Sequence, residues 1–230
     1  MLRAVLFDWG NTLVRFAWDD ELLAAGHRAG LAALGREEKA SAFTARYVEE
    51  LLPRLQEPDA PESLDYAAEL RSLLGDGDVD AFLDAEHAAW RPARSLVGSA
   101  HALLEALRER GLKLAVVANA WPEPARLVRR EIDELGVVER VDAVILSNVG
   151  ARKPAPLIFE RALEELGIRA ADAMFVGDRL VADVQGAARV GMRTTQALWF
   201  RADEDPSGIE PDFMAFTPMD VLNAARRLAR

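Results

Sequence analysis

The chain contains no cysteine among its 230 residues, and this absence removes several kinds of chemistry at once. Disulfide bridges, thiolate metal sites and cysteine nucleophiles are excluded, because each of them needs a cysteine sulfur. Lysine is almost as scarce, since only Lys39, Lys113 and Lys153 occur among 28 basic residues. Arginine serves almost everywhere else, so a remaining lysine is a candidate for a role that needs its compact ammonium group.

Long apolar runs are also missing. Nowhere do 18 consecutive apolar residues occur, the length that predicts a membrane-spanning helix. The apolar run at the amino terminus ends at Asp8, too early for a secretory signal, so we expect a cytoplasmic protein. The formal net charge of −10 argues against a nucleic-acid partner, which requires clustered cationic side chains. A small anionic ligand at a local cationic site is compatible with this balance.

From about residue 112 onward, short apolar runs alternate with amphipathic helical patterns. The predicted strands are 4–7, 114–117, 143–146, 174–176 and 194–198, with 213–216 as an edge strand. The predicted helices are 122–135, 156–166 and 181–190, with a closing helix at 220–230. Alternation of this kind predicts an α/β fold, a doubly wound parallel sheet with helices on both faces.

Residues 16–92 carry a different pattern, in which apolar positions recur at helical spacing and prolines or glycines divide about four helices. We predict a helical-bundle cap domain over 16–92, inserted after the first strand. The core domain then comprises 1–15 and 93–230. A bundle inserted at this point is placed to close over the carboxyl ends of the strands as a lid.

Polar residues follow four of the predicted strands, at the point where each strand ends. In chain order they are Asp8, Asn119, Lys153, and the pair Asp178 and Asp183. The carboxyl ends of parallel strands form the ligand crevice of such sheets, so we expect these side chains to converge. Taken singly, each has a structural explanation as a turn residue or a helix cap. Their joint occurrence favours a site.

The chemistry of such a site follows from its charges. Three converging carboxylates repel one another unless a cation lies between them, and oxygen ligands without cysteine or nearby histidine favour Mg²⁺. Lys153 supplies a further positive charge that would help an anionic substrate approach a carboxylate. Thr12 and Asn119 are candidate hydrogen-bond donors to phosphate oxygens. This set predicts a site for a small phosphorylated molecule.

The succession resembles the haloacid dehalogenase superfamily, most specifically around Asp178 and Asp183, and the resemblance covers nearly the whole chain. It implies a Rossmann-like core with a type-1 helical cap and a hydrolase of the phosphatase type. It further implies that Asp8 is the nucleophile that forms an aspartyl-phosphate and that Lys153 is a catalytic cation. Mg²⁺ would be held by Asp8, Asp178, Asp183 and the carbonyl of Gly10.

Two positions depart from the pattern of the family. Gly10 stands where phosphatases of the family carry a second aspartate, which protonates the leaving group and later activates water. Ala118 stands where the family has a hydroxyl that binds phosphate. General acid–base catalysis typically contributes ~10² to 10⁴ in rate, so we expect weak or atypical turnover.

Three interpretations follow from this combination. The first is an Mg²⁺-dependent hydrolase that acts on a small phosphorylated metabolite through Asp8. The second is a dehalogenase-like hydrolase that attacks carbon without a metal, although Asp178 and Asp183 would repel its carboxylate substrate. The third is a catalytically silent domain that binds a phosphorylated ligand. A related phosphonatase would need a cap lysine, for which Lys39 is the candidate. Both a monomer and a homodimer are compatible with the sequence.

Overall fold

The computed structural model describes residues 1–57, 64–147, 151–200 and 208–229. These residues form two compact units. The α/β unit contains Met1–Phe16, Ser95–Ala120 and the chain from Val128 onward, and the helical unit contains Ala17–Arg94 with Trp121–Leu127. That each unit is a separate domain stays a prediction. None of the described helices combines the length and the apolar composition that spanning a bilayer requires.

A parallel sheet of six strands forms the centre of the α/β unit among the described residues. In chain order the strands of the described residues are β1 Ala4–Phe7, β2 Val14–Phe16, β3 Arg94–Leu96, β4 Lys113–Ala118, β5 Ala143–Leu146, β6 Ala173–Gly177, β7 Arg193–Ala197 and β8 Phe213–Ala215. The large sheet has the order β5-β4-β1-β6-β7-β8, and β2 pairs with β3 separately. All pairs in the large sheet are parallel, which confirms the predicted fold class.

The helices were largely predicted from the periodicity of apolar residues. In the helical unit they begin with α1 Asp20–Ala33, α2 Ala40–Arg46, α3 Leu52–Leu55, α4 Tyr66–Leu74 and α5 Val79–Trp90. The helices that follow α5 along the chain are α6 Ala100–Arg108, α7 Ala125–Glu134, α8 Pro156–Leu166, α9 Gly186–Arg189 and α10 Asp220–Leu228. A π-helical segment, Leu180–Gln185, leads directly into α9, so the predicted helix over 181–190 is present but partly wider than an α-helix.

Both faces of the sheet are covered, because alternate side chains of each strand point to opposite sides. Ala4 and Leu6 of β1 belong to one buried cluster together with residues of α8 and α9. Val5 and Phe7 belong to another cluster, with residues of α6, α7 and α10. All four side chains of β1 are fully buried, which places this strand at the centre of the unit.

Close packing of α1 against α5 organises the helical unit. A Cβ atom on Gly30 would lie 2.5 Å from the ring of Phe82, and one on Gly26 would overlap the indole of Trp90. Such distances require glycine at both positions, since no larger side chain fits without moving the helices apart. Trp90 in turn donates a hydrogen bond from Nε1 to the carbonyl of Leu22 at 2.9 Å.

The start of α7 differs from the prediction, which placed it at Pro122. The helix begins at Ala125 instead. Pro124 explains the difference, because a residue that precedes proline is disfavoured in the α-helical conformation, and this restriction falls on Glu123. The proline that precedes the helix is therefore Pro124 and not Pro122.

The segment Trp121–Leu127 belongs to the helical unit through a network of ion pairs. Glu123 accepts hydrogen bonds from Nη2 of Arg94 at 2.7 Å and from Nδ1 of His87 at 2.8 Å. Arg126 pairs with Asp80 and Asp84, each at 2.8 Å. Because this segment follows Asn119 closely in the chain, the helical unit includes part of the loop after β4.

Candidate active site

The sheet order brings the ends of β4, β1 and β6 side by side. Asp8 directly follows β1, and its backbone N–H donates to the carbonyl of Val176 in β6 at 2.8 Å. The pairing of β1 with β6 thus extends to the first residue past the strand. Asp178 follows β6 directly and Asn119 follows β4. The three residues consequently emerge at one edge of the sheet, as the sequence predicted.

Lys153 lies between two of the predicted carboxylates. Its Nζ is 2.5 Å from Oδ1 of Asp8 and 2.6 Å from Oδ1 of Asp183. All three side chains are buried, with Lys153 only 4% exposed. Residues 145 and 30 positions away from Lys153 in sequence therefore share one ammonium group.

Burial and the attraction between opposite charges have opposing effects on the pKa values of Lys153 and Asp183. Burial by itself would lower the pKa of Lys153, but the carboxylates of Asp183 and Asp8 outweigh it and raise that pKa above its ordinary value. Burial raises the pKa of Asp183 to about 6, with Asp8 adding to the shift and Lys153 opposing it. At neutral pH Lys153 is accordingly charged and Asp183 largely ionised.

Asp178 completes a cluster of acids. One oxygen each from Asp8, Asp178 and Asp183 lies within 4.8 Å of the other two, and all three residues are buried. Three carboxyl groups and the ammonium of Lys153 thus share one buried place. Hard oxygen donors at this spacing and with this charge fit a divalent cation such as Mg²⁺.

The position of Asp183 depends on a glycine. A Cβ atom on Gly177 would overlap the carboxyl group of Asp183, so that carboxylate packs directly over the backbone at the end of β6. Oδ2 of Asp183 also accepts a hydrogen bond from the backbone N–H of Arg179 at 3.0 Å. This local arrangement leaves Oδ1 for Lys153, and it explains why glycine precedes Asp178.

Thr12 contacts Asp8, and Asn119 contacts the backbone of Lys153. The hydroxyl of Thr12 donates to Oδ2 of Asp8 at 3.2 Å. The amide of Asn119 makes two hydrogen bonds with the backbone of Lys153, accepting from its N–H at 2.8 Å and donating to its carbonyl at 2.9 Å. Asn119 therefore holds the loop that carries Lys153, a role that sequence reasoning did not anticipate.

The two departures from the family pattern have clear structural settings. Gly10 is exposed, and a Cβ atom added there would have no atom within 4 Å. Ala118 is buried at the end of β4, and its methyl group belongs to the core. The chain consequently has open space next to Gly10 and an apolar methyl group at Ala118.

Ser147 is a residue that sequence reasoning missed. It directly follows β5, and its hydroxyl accepts a hydrogen bond from the backbone N–H of Ala120 at 2.9 Å. Its own N–H donates to the carbonyl of Ala118 at 2.9 Å. The signal was available, because Ser147 is the polar residue after an apolar strand at the same edge of the sheet.

Similarity to known proteins agrees with this geometry. Residues 2–191 match the family model described as haloacid dehalogenase-like hydrolase. The chain is 31% identical over 253 aligned positions to glyceraldehyde 3-phosphate phosphatase of Methanopyrus kandleri, covering 100% of both chains. It is 30% identical to the enzyme of the same name from Pyrococcus abyssi, over 87% of this chain and 82% of the relative.

A solved structure is similar over nearly the whole chain. It is the HAD phosphatase from Thermococcus onnurineus, with a TM-score of 0.69 and 25% sequence identity. The alignment covers 97% of this chain and 98% of that one. The fold, the acidic cluster and these similarities agree with the resemblance seen in the sequence. This chain is a hydrolase that belongs to the haloacid dehalogenase-like family.

Proposed function

We propose that this protein is an Mg²⁺-dependent phosphohydrolase of small phosphorylated metabolites that works through an aspartyl-phosphate on Asp8. The observation that carries the proposal is the ion pair of Asp8 with Lys153 beside two further buried carboxylates. The names of the relatives from Methanopyrus kandleri and Pyrococcus abyssi support a small sugar-phosphate type of substrate. A cytoplasmic location and a monomeric or homodimeric state stay predictions.

In the proposed reaction, a carboxylate oxygen of Asp8 attacks the phosphorus of the substrate. The bond between phosphorus and the leaving oxygen breaks, and that oxygen keeps the electron pair; the leaving oxygen of an alkyl phosphate takes a proton from solvent water, whereas an acyl phosphate releases a carboxylate. Water then attacks the aspartyl-phosphate, which releases inorganic phosphate and restores Asp8. Covalent catalysis of this kind divides one difficult displacement into two easier ones.

The other residues have supporting roles in the proposal. Lys153 neutralises negative charge that approaches Asp8, and its hydrogen bond keeps the carboxylate oriented. When substrate binds, the hydroxyl of Thr12 turns from Asp8 to a phosphate oxygen, and Asn119 donates through the second N–H of its side-chain amide, so its hydrogen bonds to the backbone of Lys153 remain. Asp8, Asp178, Asp183 and the carbonyl of Gly10 would hold Mg²⁺. When bound, the ion supplies positive charge that screens the phosphate from the carboxylates.

Gly10 sets the expected rate and the kind of substrate. No side-chain acid in the loop after Asp8 protonates the leaving group, so hydrolysis of ordinary phosphate esters loses about 10² to 10⁴ in rate. An acyl phosphate suffers less, because its carboxylate leaving group needs no proton. We therefore propose that acyl phosphates are hydrolysed faster than alkyl phosphates of similar size.

Gly10 and Ala118 also favour a second candidate, a catalytically silent domain that binds a phosphorylated ligand. This candidate predicts affinity without turnover. The dehalogenase-like alternative is weaker, because the carboxylates of Asp178 and Asp183 would repel a haloacid carboxylate.

A substrate screen tests the proposal. Phosphate release from alkyl phosphates, including glyceraldehyde 3-phosphate, and from acyl phosphates is measured with Mg²⁺ and with EDTA, and halide release from haloacids in parallel. We expect phosphate release that needs Mg²⁺, prefers acyl phosphates and falls at least about 10³-fold in Asp8→Asn. Halide release in EDTA supports the dehalogenase alternative, and binding without turnover supports the silent domain.

A gain-of-function variant tests the explanation for slow turnover. In Gly10→Asp, the new carboxyl group enters the open space beside Asp8 and offers a general acid. We expect alkyl phosphates to gain about tenfold or more, while acyl phosphates gain little. Gly10→Asn is the matched control, because it has the same size and no acidic proton. Equal gains for both substrate types would contradict the explanation.

A further inference from the structure

The loop that begins with Asp8 contains residues with unusual backbone freedom. Gly10 is exposed and has no side chain, and no neighbour would contact a Cβ atom there. Asn11 adopts a positive φ of 54°, a conformation that asparagine tolerates better than most residues. A loop of this composition loses much conformational entropy when it is ordered, so something outside it must hold its geometry.

One end of the loop is held through the side chain of Trp9. Its indole Nε1 donates to Oε1 of Glu131 in α7 at 2.6 Å. Trp9 is 4% exposed and Glu131 is 5% exposed, so water competes little for this bond. The carbonyl of Trp9 accepts hydrogen bonds from the N–H groups of Leu13 and Val14, both at 3.0 Å. The backbone hydrogen bonds of this turn therefore end at Trp9, the residue whose indole is bound to Glu131.

The other end is held by a second tryptophan. The indole Nε1 of Trp199, two residues past β7, donates to the backbone carbonyl of Thr12 at 2.9 Å. Thr12 is fully buried, and its hydroxyl donates to Oδ2 of Asp8. A path of hydrogen bonds thus runs from Trp199 through Thr12 to the carboxylate that the proposed reaction uses.

We propose that Trp9 and Trp199 form an indole clamp on the loop 8–12, with Glu131 and Trp199 as positioning residues for Asp8. The clamp fixes the loop at Trp9 and at Thr12, on either side of the flexible Gly10. Neither Glu131 nor Trp199 contacts the reacting atoms. Their effect on rate comes from the orientation of the carboxylate, and misplacing a nucleophile by about 1 Å costs up to 10²-fold. The effect on rate rests on the proposed function, whereas the effect on loop order does not.

Two variants of Glu131 separate positioning from charge. Glu131→Gln keeps a carbonyl oxygen that accepts the indole N–H, and Glu131→Leu removes the acceptor at similar volume. We expect Glu131→Leu to lower kcat for phosphate release about ten- to hundredfold with KM within threefold. Glu131→Gln stays within threefold of the wild type. Asp133→Asn, on the exposed side of the same helix, is the control and leaves kcat unchanged.

Rescue by a stiffer loop gives a readout that a merely structural role would not move. Gly10→Ala adopts the native backbone without a positive φ and without a close contact, and it reduces the freedom of the loop. We expect the double variant Glu131→Leu with Gly10→Ala to have a kcat at least threefold higher than that of Glu131→Leu alone. A recovery of zero, or a loss in Glu131→Gln equal to that in Glu131→Leu, would overturn the proposal.

Amide hydrogen exchange, followed by NMR in the metal-free protein, tests the clamp without any activity. We expect the amides of Leu13 and Val14 to exchange at least tenfold faster in Trp199→Phe and in Glu131→Leu, while those of Leu6 and Phe7 keep their protection. Unchanged exchange at Leu13 and Val14 would overturn the clamp. If the wild type hydrolyses no phosphate compound, the proposed function fails while the exchange data still decide the clamp.

Discussion

Each unit contains a cluster of buried ionisable groups, and burial affects the charges of the two clusters differently. At the ends of the strands, Asp8 and Asp183 lie within 2.6 Å of the ammonium of Lys153. Inside the helical unit, Nε2 of His27 lies 3.5 Å from Oε1 of Glu86, and neither side chain is more than 2% exposed. Lys153 keeps its charge in the first cluster, whereas in the second cluster burial opposes the charge of both groups.

Burial disfavours the charged forms of both His27 and Glu86. Burial lowers the pKa of His27 to about 4. Burial also raises the pKa of Glu86 well above its ordinary value, with Glu123 adding to the shift and Arg94 opposing it. At neutral pH the imidazole of His27 is uncharged, and burial disfavours the ionised form of the Glu86 carboxyl group. Nδ1 of His27 meets the hydroxyl of Thr44 at 2.9 Å.

The difference teaches what a buried charge requires. A close counter-charge keeps Lys153 ionised despite complete burial, because attraction exceeds the cost of desolvation. His27 and Glu86 are farther apart, and their attraction does not repay that cost. A buried group therefore keeps its charge where a counter-charge lies in close contact with it, as Lys153 does in the candidate site.

Removal of Lys153 should have the largest effect. In Lys153→Met, the buried carboxylates of Asp8 and Asp183 lose their ammonium partner, and we expect the free energy of unfolding without metal to fall by about 3–5 kcal/mol at pH 7. The loss should shrink toward pH 5, because Asp183, whose pKa is about 6, takes up a proton and no longer repels its neighbours. Urea denaturation at both pH values measures it. Equal stability of variant and wild type at pH 7 would contradict the charged description of this cluster.

Acid should act on the helical unit through His27. Its folded-state pKa of about 4 is depressed, so its contribution to stability is present above pH 6.5 and is lost as pH falls toward 4. We expect the difference in unfolding free energy between wild type and His27→Gln to change by about 3 kcal/mol over this range. Taking the difference cancels the opposite contribution of Glu86, which gains stability on acidification. Phe43→Leu, which alters packing against the ring of His27, is the control and keeps the wild-type pH dependence.

Magnesium should stabilise one cluster and not the other. At a concentration of free Mg²⁺ one hundred times its Kd, binding to the native state alone raises the free energy of unfolding by about 2.7 kcal/mol. We expect this gain in the wild type and in Glu86→Gln, and its loss in Asp178→Asn. Thermal unfolding with and without Mg²⁺ measures it. A gain retained by Asp178→Asn would remove the acidic cluster as the metal site.

Neutralising Glu86 should have the smallest effect. Because burial raises the pKa of Glu86 and disfavours its charge, Glu86→Gln keeps the size of the side chain and removes a charge that the site opposes, and we expect less than about 1 kcal/mol of change at pH 7. Chemical denaturation of the two proteins in parallel measures this. A cost as large as that of Lys153→Met would show that Glu86 is ionised and would erase the contrast between the clusters.

Much of the site could be predicted because its residues carry a local signal. Asp8, Lys153 and Asp178 each follow the end of a predicted strand, and parallel strands present these ends at one edge. Partners that depend on exact packing carried no such signal. The pairing of Asn119 with the backbone of Lys153 and the contact of Trp9 with Glu131 join residues 34 and 122 positions apart.

The sequence by itself determined the class of fold, the alternation of strands with helices and the acids at the strand ends, because periodicity and chain punctuation are local properties. Only the tertiary structure decided which buried groups keep their charge. His27 and Lys153 are both cationic candidates in the sequence, yet one is neutral and the other charged at pH 7. The pKa of a buried group depends on distances to partners remote in sequence, and folding alone sets those distances.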